Sequence, residues 1–167
     1  MSINIHKYSR EPTGPTGATG DTGPAGATGP AVLLGGIQAQ LVGSSGGTIV
    51  NGENVIFDTV INNQSAAISY NTGTGEFTVT ALGNYYVSWW VATDGTAGPA
   101  TVNFAINLNG GGSVTGSSPL VTGQVVGSAL ITVSTVSSTI TLVNNTTDTV
   151  GFATTLIQAN IVITEVS

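Results

Sequence analysis

"TVNFAINLN", residues 101–109, alternates without a break: Val102, Phe104, Ile106 and Leu108 fall on one side of an extended chain, and Asn103, Ala105, Asn107 and Asn109 on the other. Successive side chains of a strand point to opposite faces, so an apolar side at period two marks a strand half set in a core. The same period returns on either side of this stretch. "GEFTVTA" (75–81) carries it in Phe77, Val79 and Ala81, and "STITLVN" (138–144) in Ile140 and Leu142. Turn chemistry separates these runs: "NGEN" at 51–54, "NTGTGE" at 71–76, "TDGTAGP" at 93–99, "NGGGS" at 109–113 and "NNTTDT" at 144–149. A helical period returns nowhere, and no capped amphipathic segment of useful length is present. About ten short antiparallel strands in one domain predict an all-β jelly-roll sandwich.

A different period rules the chain before that domain. In "PTGPTGATGDTGPAGATGP", residues 12–30, glycine recurs as Gly14, Gly17, Gly20, Gly23, Gly26 and Gly29. Only glycine fits where three polyproline-II chains meet at a common axis, so the strict period predicts a collagen-like triple helix and, with it, a stoichiometry of three. Thr16, Thr19, Thr22 and Thr28 fill the third place of their triplets, where the hydroxyls face solvent; they are candidate O-glycosylation sites or else serve to hydrate the rod. The 167 residues thus divide into a tail (1–11), a Gly-X-Y stalk (12–31) and a head (32–167). A head of this size buries enough surface to fold without disulfide or metal, in keeping with a chain that has no cysteine.

Lys7 and Arg10 are the only basic residues, and both precede the stalk. The head carries Glu53, Asp58, Glu76, Asp94, Asp148 and Glu165 with no lysine, arginine or histidine, which removes the electrostatic footprint of a nucleic-acid partner or an anionic membrane. The apolar runs are too short to span a bilayer, so no membrane insertion is expected, and "MSINIHKYSREP" lacks the apolar core of an ordinary secretory signal. A mean hydropathy of +0.32 with so few charges means that the chain keeps itself in solution with Thr, Ser, Asn and backbone groups or else hides apolar surface in an oligomer. The segment "NYYVSWWVA" (84–92) locates that surface. Tyr85, Val87, Trp89 and Val91 share one face, and Tyr86, Ser88 and Trp90 the other. A strand apolar on both faces needs two covers; one is the sandwich interior, and the other is either the same chain or a neighbouring subunit. Tyr86, Ser88 and Trp90 are the candidate subunit interface.

Catalytic groups are scarce. The only histidine, His6, lies in the tail, so the head has no Ser-His-Asp triad, and Glu76 and Asp94, the nearest carboxylate pair across neighbouring strands, read as turn residues. Asp94, Asp148 and Glu53 are too scattered in sequence to supply the six to eight oxygens calcium takes. No enzyme activity, metal or cofactor is expected. Asn63, Asn144 and Asn145 open Asn-x-Ser/Thr tripeptides, which arise often by chance in a chain of this composition.

"VIFDTVINNQSAAISYNTGTGEFTVTALGNYYVSWWVA" (55–92) resembles the globular head of the first complement component, in the tumour-necrosis-factor-like superfamily. The likeness rests on Phe57-Asp58 opening a strand, on Tyr70-Asn71 with Thr74-Gly75-Glu76-Phe77-Thr78 in the central hairpin, and on Gly83 with Tyr85-Tyr86 starting the next strand. Together with the threonine-rich collagen run and the ending "GSALITVSTVSSTITLVNNTTD", the chain from Pro12 is most similar to the BclA-type collagen-like glycoproteins of bacterial spore surfaces. That resemblance implies a homotrimeric head that aligns three chains and caps a filament on the exosporium, with the tail meeting other spore-surface proteins. Two other readings compete: a glycan- or receptor-binding adhesin head using "TDGTAGPA" (93–100) as its rim, and a phage tail-fibre tip.

Overall fold

In a computed structural model, residues 1, 11–23, 34–43, 46–95, 101–119 and 121–166 are described. The chain divides into two compact units, Met1–Ala31 and Val32–Ser167. In the first, residues 11–23 form neither helix nor strand and are exposed throughout. A Cβ placed on Gly14, Gly17, Gly20 or Gly23 would meet nothing within 4 Å, so no crowding within the chain itself accounts for these glycines. Gly26, Gly29 and Thr28 lie outside the described residues.

The second unit is all strand among its described residues: β1 (Gly36–Val42), β2 (Thr48–Ile49), β3 (Thr59–Asn63), β4 (Ile68–Asn71), β5 (Glu76–Val79), β6 (Gly83–Asp94), β7 (Val102–Leu108), β8 (Gly111–Ser118), β9 (Thr122–Val133), β10 (Ser138–Asn144), β11 (Val150–Gly151) and β12 (Ile157–Glu165). Two five-stranded antiparallel sheets are formed, β3-β1-β12-β6-β9 and β4-β5-β10-β7-β8, with β2 and β11 paired separately. This is the jelly-roll sandwich expected from the alternation.

The core sits between the sheets, where the two alternating patterns face each other. β6 contributes Tyr85, Val87, Trp89 and Val91, β12 contributes Ala159, Ile161 and Ile163, and the opposite sheet contributes Phe77, Val79, Phe104, Ile106, Ile140 and Leu142, all buried. Phe57, Tyr70 and Phe77 make an aromatic group at one side of it, with Tyr70 stacked on Phe77 at 4.3 Å between ring centres. Two phenols in this interior keep their hydroxyls satisfied by backbone: Tyr85 donates to Ala81 O at 3.0 Å, and Tyr70 donates to Phe57 O at 3.0 Å while accepting from Phe57 N at 2.7 Å. Such partners remove the cost of burying a polar group.

Three details differ from the alternation reading. β10 is central in its sheet, flanked by β5 and β7, so Thr141, Val143 and Asn144 are buried along with Ile140 and Leu142. β8 begins at Gly111, inside the glycine run taken as a turn, because Asn109 at φ 51° and Gly110 at φ 75° complete the reversal by themselves. Glu76 and Asp94 do not face each other across neighbouring strands. β5 and β6 are consecutive but belong to opposite sheets, which separates the two carboxylates.

Candidate functional site

β6 and β9 are paired over twelve residues each, from Gly83↔Val133 to Asp94↔Thr122, with no shift of register. An uninterrupted register keeps the inward and outward sets apart along the whole length. Outward from β6 come Tyr86, Ser88 and Trp90, and directly opposite them on β9 stand Leu130, Ser128 and Val126. Leu130 is 69% exposed, Val126 61% and Tyr86 45%, and Trp90 is half-buried. Among the described residues of the head, the second face of the "YYVSWW" strand is therefore left open. A shallow depression of about 390 Å³ lies along this stripe, lined by Tyr86, Trp90, Val126, Ser128 and Asn160 among others.

Next to the apolar stripe, on the same face, runs a short row of amides. Asn160 on β12 is opposite Trp90 in register and accepts through Oδ1 from Gln38 Nε2 at 2.8 Å and Gln40 Nε2 at 3.1 Å. Sequence reasoning identified Tyr86, Ser88 and Trp90 but missed Val126, Leu130 and the amides. β9 is apolar at positions of both parities, Val125, Ala129, Ile131 and Val133 inward, Val126 and Leu130 outward. No period in "TGQVVGSALITV" separates the two sets; only pairing to β6 does.

The head's carboxylates are held singly, by neutral donors. Asp58 accepts from Val42 N at 3.0 Å and Thr59 Oγ1 at 2.8 Å, Glu53 from Val50 N at 3.3 Å, Glu76 from Thr74 Oγ1 at 3.0 Å and Asp148 from Thr149 N at 2.7 Å. Among the described residues no three acidic or imidazole side chains converge as a metal site would require. Nor is any helix long and apolar enough to cross a membrane. Of the Asn-x-Ser/Thr tripeptides, Asn144 is fully buried, with Nδ2 bonded to Ile49 O and Asp148 O, whereas Asn63 and Asn145 are exposed. Part of the "TDGTAGPA" rim, residues 96–100, lies outside the described residues.

One phenol reports on the core. Burial pushes the Tyr70 hydroxyl up to about 12; the hydrogen bond from Phe57 N opposes this and the nearby Asp58 carboxylate adds to it. The unfolded chain thus ionises Tyr70 near the ordinary value of 10, before the folded one does. The stabilising preference for the neutral phenol is complete below pH 10 and is lost as pH climbs to 12. The denaturant midpoint is expected to fall through that window, and Tyr70→Phe is expected to flatten the fall. An unchanged slope in the variant, followed by tyrosinate absorbance alongside the unfolding curve, would count against this assignment.

No protein-family model matches the chain, and no curated protein is similar to it in sequence. Solved structures are similar in shape. Murine APRIL aligns with a TM-score of 0.61 at 8% identity, over 80% of this chain and 100% of its own. The globular domain of zebrafish complement 1qA protein aligns at 0.53 and 14% identity, over 79% and 95%. PRD1 vertex protein P5 aligns at 0.53 and 12%, over 82% and 100%. The head has the tumour-necrosis-factor and complement-head jelly-roll fold. The likeness implied by Phe57-Asp58, Tyr70-Asn71 and Tyr85-Tyr86 is to that extent a likeness of fold.

Proposed function

We propose that this protein is a structural surface-fibre component of the BclA type. Its head trimerises, brings three chains into register, nucleates the collagen-like stalk and caps a filament on the outside of a bacterial spore. The observation that carries this reading is the open apolar stripe of Tyr86, Trp90, Val126 and Leu130 on a chain that also contains six Gly-X-Y triplets. A contiguous exposed apolar patch marks an interaction surface, and Trp90 and Tyr86 are of the residue types enriched at hot spots. The triplets fix the number of chains at three, so stripe and stalk ask for the same assembly. In this reading residues 12–31 are the stalk and 32–167 the head, with Thr16, Thr19, Thr22 and Thr28 as the candidate positions for O-linked sugar or else as groups that hydrate the rod.

Light scattering on residues 32–167 tests the assembly. The expected mass is that of a trimer at micromolar concentration, and Trp90→Asp is expected to reduce it to a monomer while the circular dichroism stays that of a β protein. A carboxylate in a desolvated aromatic position costs several kcal/mol, on top of the roughly 2 kcal/mol lost with a hot-spot side chain. A wild-type head that is monomeric, or a Trp90→Asp head that remains trimeric, overturns the placement. Immunogold labelling of intact spores tests the address independently.

A further inference from the structure

At the end of β1 remote from Gly36, a second opening in the head has a different character. It is a cleft of about 380 Å³ walled in part by Leu41, Ile56 and Phe152, with Glu53 and Asp58 as its ionisable groups and Gln158 and Asn54 as its amides, the Asn54 amide donating to Thr74 O at 2.9 Å. Asp58 uses Oδ1 for both of its hydrogen bonds, and Glu53 uses Oε2 for its own, so each carboxylate has an oxygen left over. Gln158 is only 3% exposed, yet both of its hydrogen bonds, to Gly46 O at 3.3 Å and Ala153 O at 2.9 Å, leave from Nε2. Its Oε1 is turned toward Gly43, another residue of the cleft wall, and lies 3.9 Å from where a Cβ on that glycine would sit. No enclosed side-chain oxygen among the described residues is left without a partner, so Oε1 reaches the open space of the cleft.

Carboxylate and amide oxygens thus supply the cleft's side-chain acceptor capacity, beside apolar walls. The charge on the two carboxylates has no counter-ion in the fold, because the head contains no lysine, arginine or histidine. An amide acceptor that opens on the cleft and is held in place by its own nitrogen, two exposed carboxylates with no counter-ion and an aliphatic and aromatic wall match one kind of guest. We propose that the cleft binds a lysine side chain of a partner peptide, its ammonium group donating to Asp58, Glu53 and Gln158 Oε1 and its methylene stem lying against Leu41, Ile56 and Phe152. Charge-assisted hydrogen bonds fix the head group, and the stem gains by leaving water. This goes beyond the structural role, since it assigns the head a ligand of defined chemistry at a place separate from the Trp90 stripe.

The test is calorimetric titration of the full chain with Nα-acetyl-lysine methylamide. Saturable binding at one site per chain is expected, weakening with added salt. The same probe acetylated at Nε, which keeps the stem and removes the charge, is expected to bind at least about tenfold more weakly, as is the original probe to Asp58→Asn, where the hydrogen bonds to Val42 N and Thr59 can persist. Should Asp58→Asn fail to fold by circular dichroism, Glu53→Gln serves for the same comparison. Absence of saturation, equal binding of the acetylated probe, unchanged affinity in a folded carboxamide variant, or tighter binding of glucosamine than of the lysine probe would each overturn the proposal, the last by pointing to an amino sugar instead.

Discussion

Replacing Gly127 with alanine is expected to lower the stability of the head by about 3 kcal/mol, the upper end of what one added carbon does in a filled core. Gly127 stands opposite Trp89 in the β6–β9 register, and a Cβ there would come within 2.6 Å of the indole Cε2. Gly116 on β8 closes the same slot from the other sheet, where a Cβ would lie 2.8 Å from Cη2 and 2.6 Å from the Val126 carbonyl oxygen. The indole cannot swing aside, since it is buried and packed on Phe104 at 6.2 Å between ring centres. Against a total of roughly 5–15 kcal/mol for a typical domain, such a loss is a large share of what holds the head together. Chemical denaturation should show a lower midpoint for Gly127→Ala and little change for Gly111→Ala, where a Cβ meets nothing within 4 Å. Combining Gly127→Ala with Trp89→Leu should recover part of the loss, because the clash and its object are removed together. Equal midpoints for the two single alanine variants would show that the indole is not held by this slot.

The second large effect concerns which unit depends on which. A peptide of residues 1–31 is expected to show no triple-helical circular dichroism at room temperature, whereas the intact chain shows at least partial triple helix on cooling. Six triplets make a rod of roughly 50–60 Å at about 3.1 Å per residue, and no strand of it has internal hydrogen bonds. Fixing each residue costs on the order of 1–2 kcal/mol of backbone entropy, and three free peptides also lose the freedom to diffuse apart. Few prolines are present to offset this: Pro12, Pro15, Pro24 and Pro30. Three chain starts gathered by a trimeric head are already at high effective concentration, so zippering becomes an intramolecular step. Deleting residues 1–31 should leave the head trimer intact. An isolated peptide that trimerises unaided, or a head trimer that dissolves on the deletion, would reverse the proposed dependence.

The strands of the sandwich were legible where one face alone is apolar. "TVNFAINLN" became β7 with Val102, Phe104 and Ile106 inside, because a strand whose other face carries asparagines and only a small Ala105 has one way to lie. Legibility fell where that asymmetry is missing. The β9 sequence is apolar on both parities, and β8, "GGSVTGSS", has almost nothing apolar to alternate, so its strand character comes from pairing with β7. Glycine misleads for a related reason: Gly116 and Gly127 look like turn residues but sit inside strands to make room for Trp89. The outward set Tyr86, Ser88 and Trp90 could be read locally because all three lie on one strand. The cleft beside β1 could not, since Leu41, Asp58, Phe152 and Gln158 come from segments more than a hundred residues apart at their extremes and meet only through the fold.

The acidic residues of the head carry a consequence for the setting in which such a surface works. Asp58, Glu53, Glu76 and Asp148 are anchored by amide N–H groups and threonine hydroxyls rather than by opposite charges. Added electrolyte weakens a fold chiefly by screening attractive ion pairs, and here there are none in the head for it to screen. What salt does screen is repulsion between like-charged heads. Repulsion between two such heads in solution is therefore expected to fall as salt is added, with no attractive ion pair inside either head to lose.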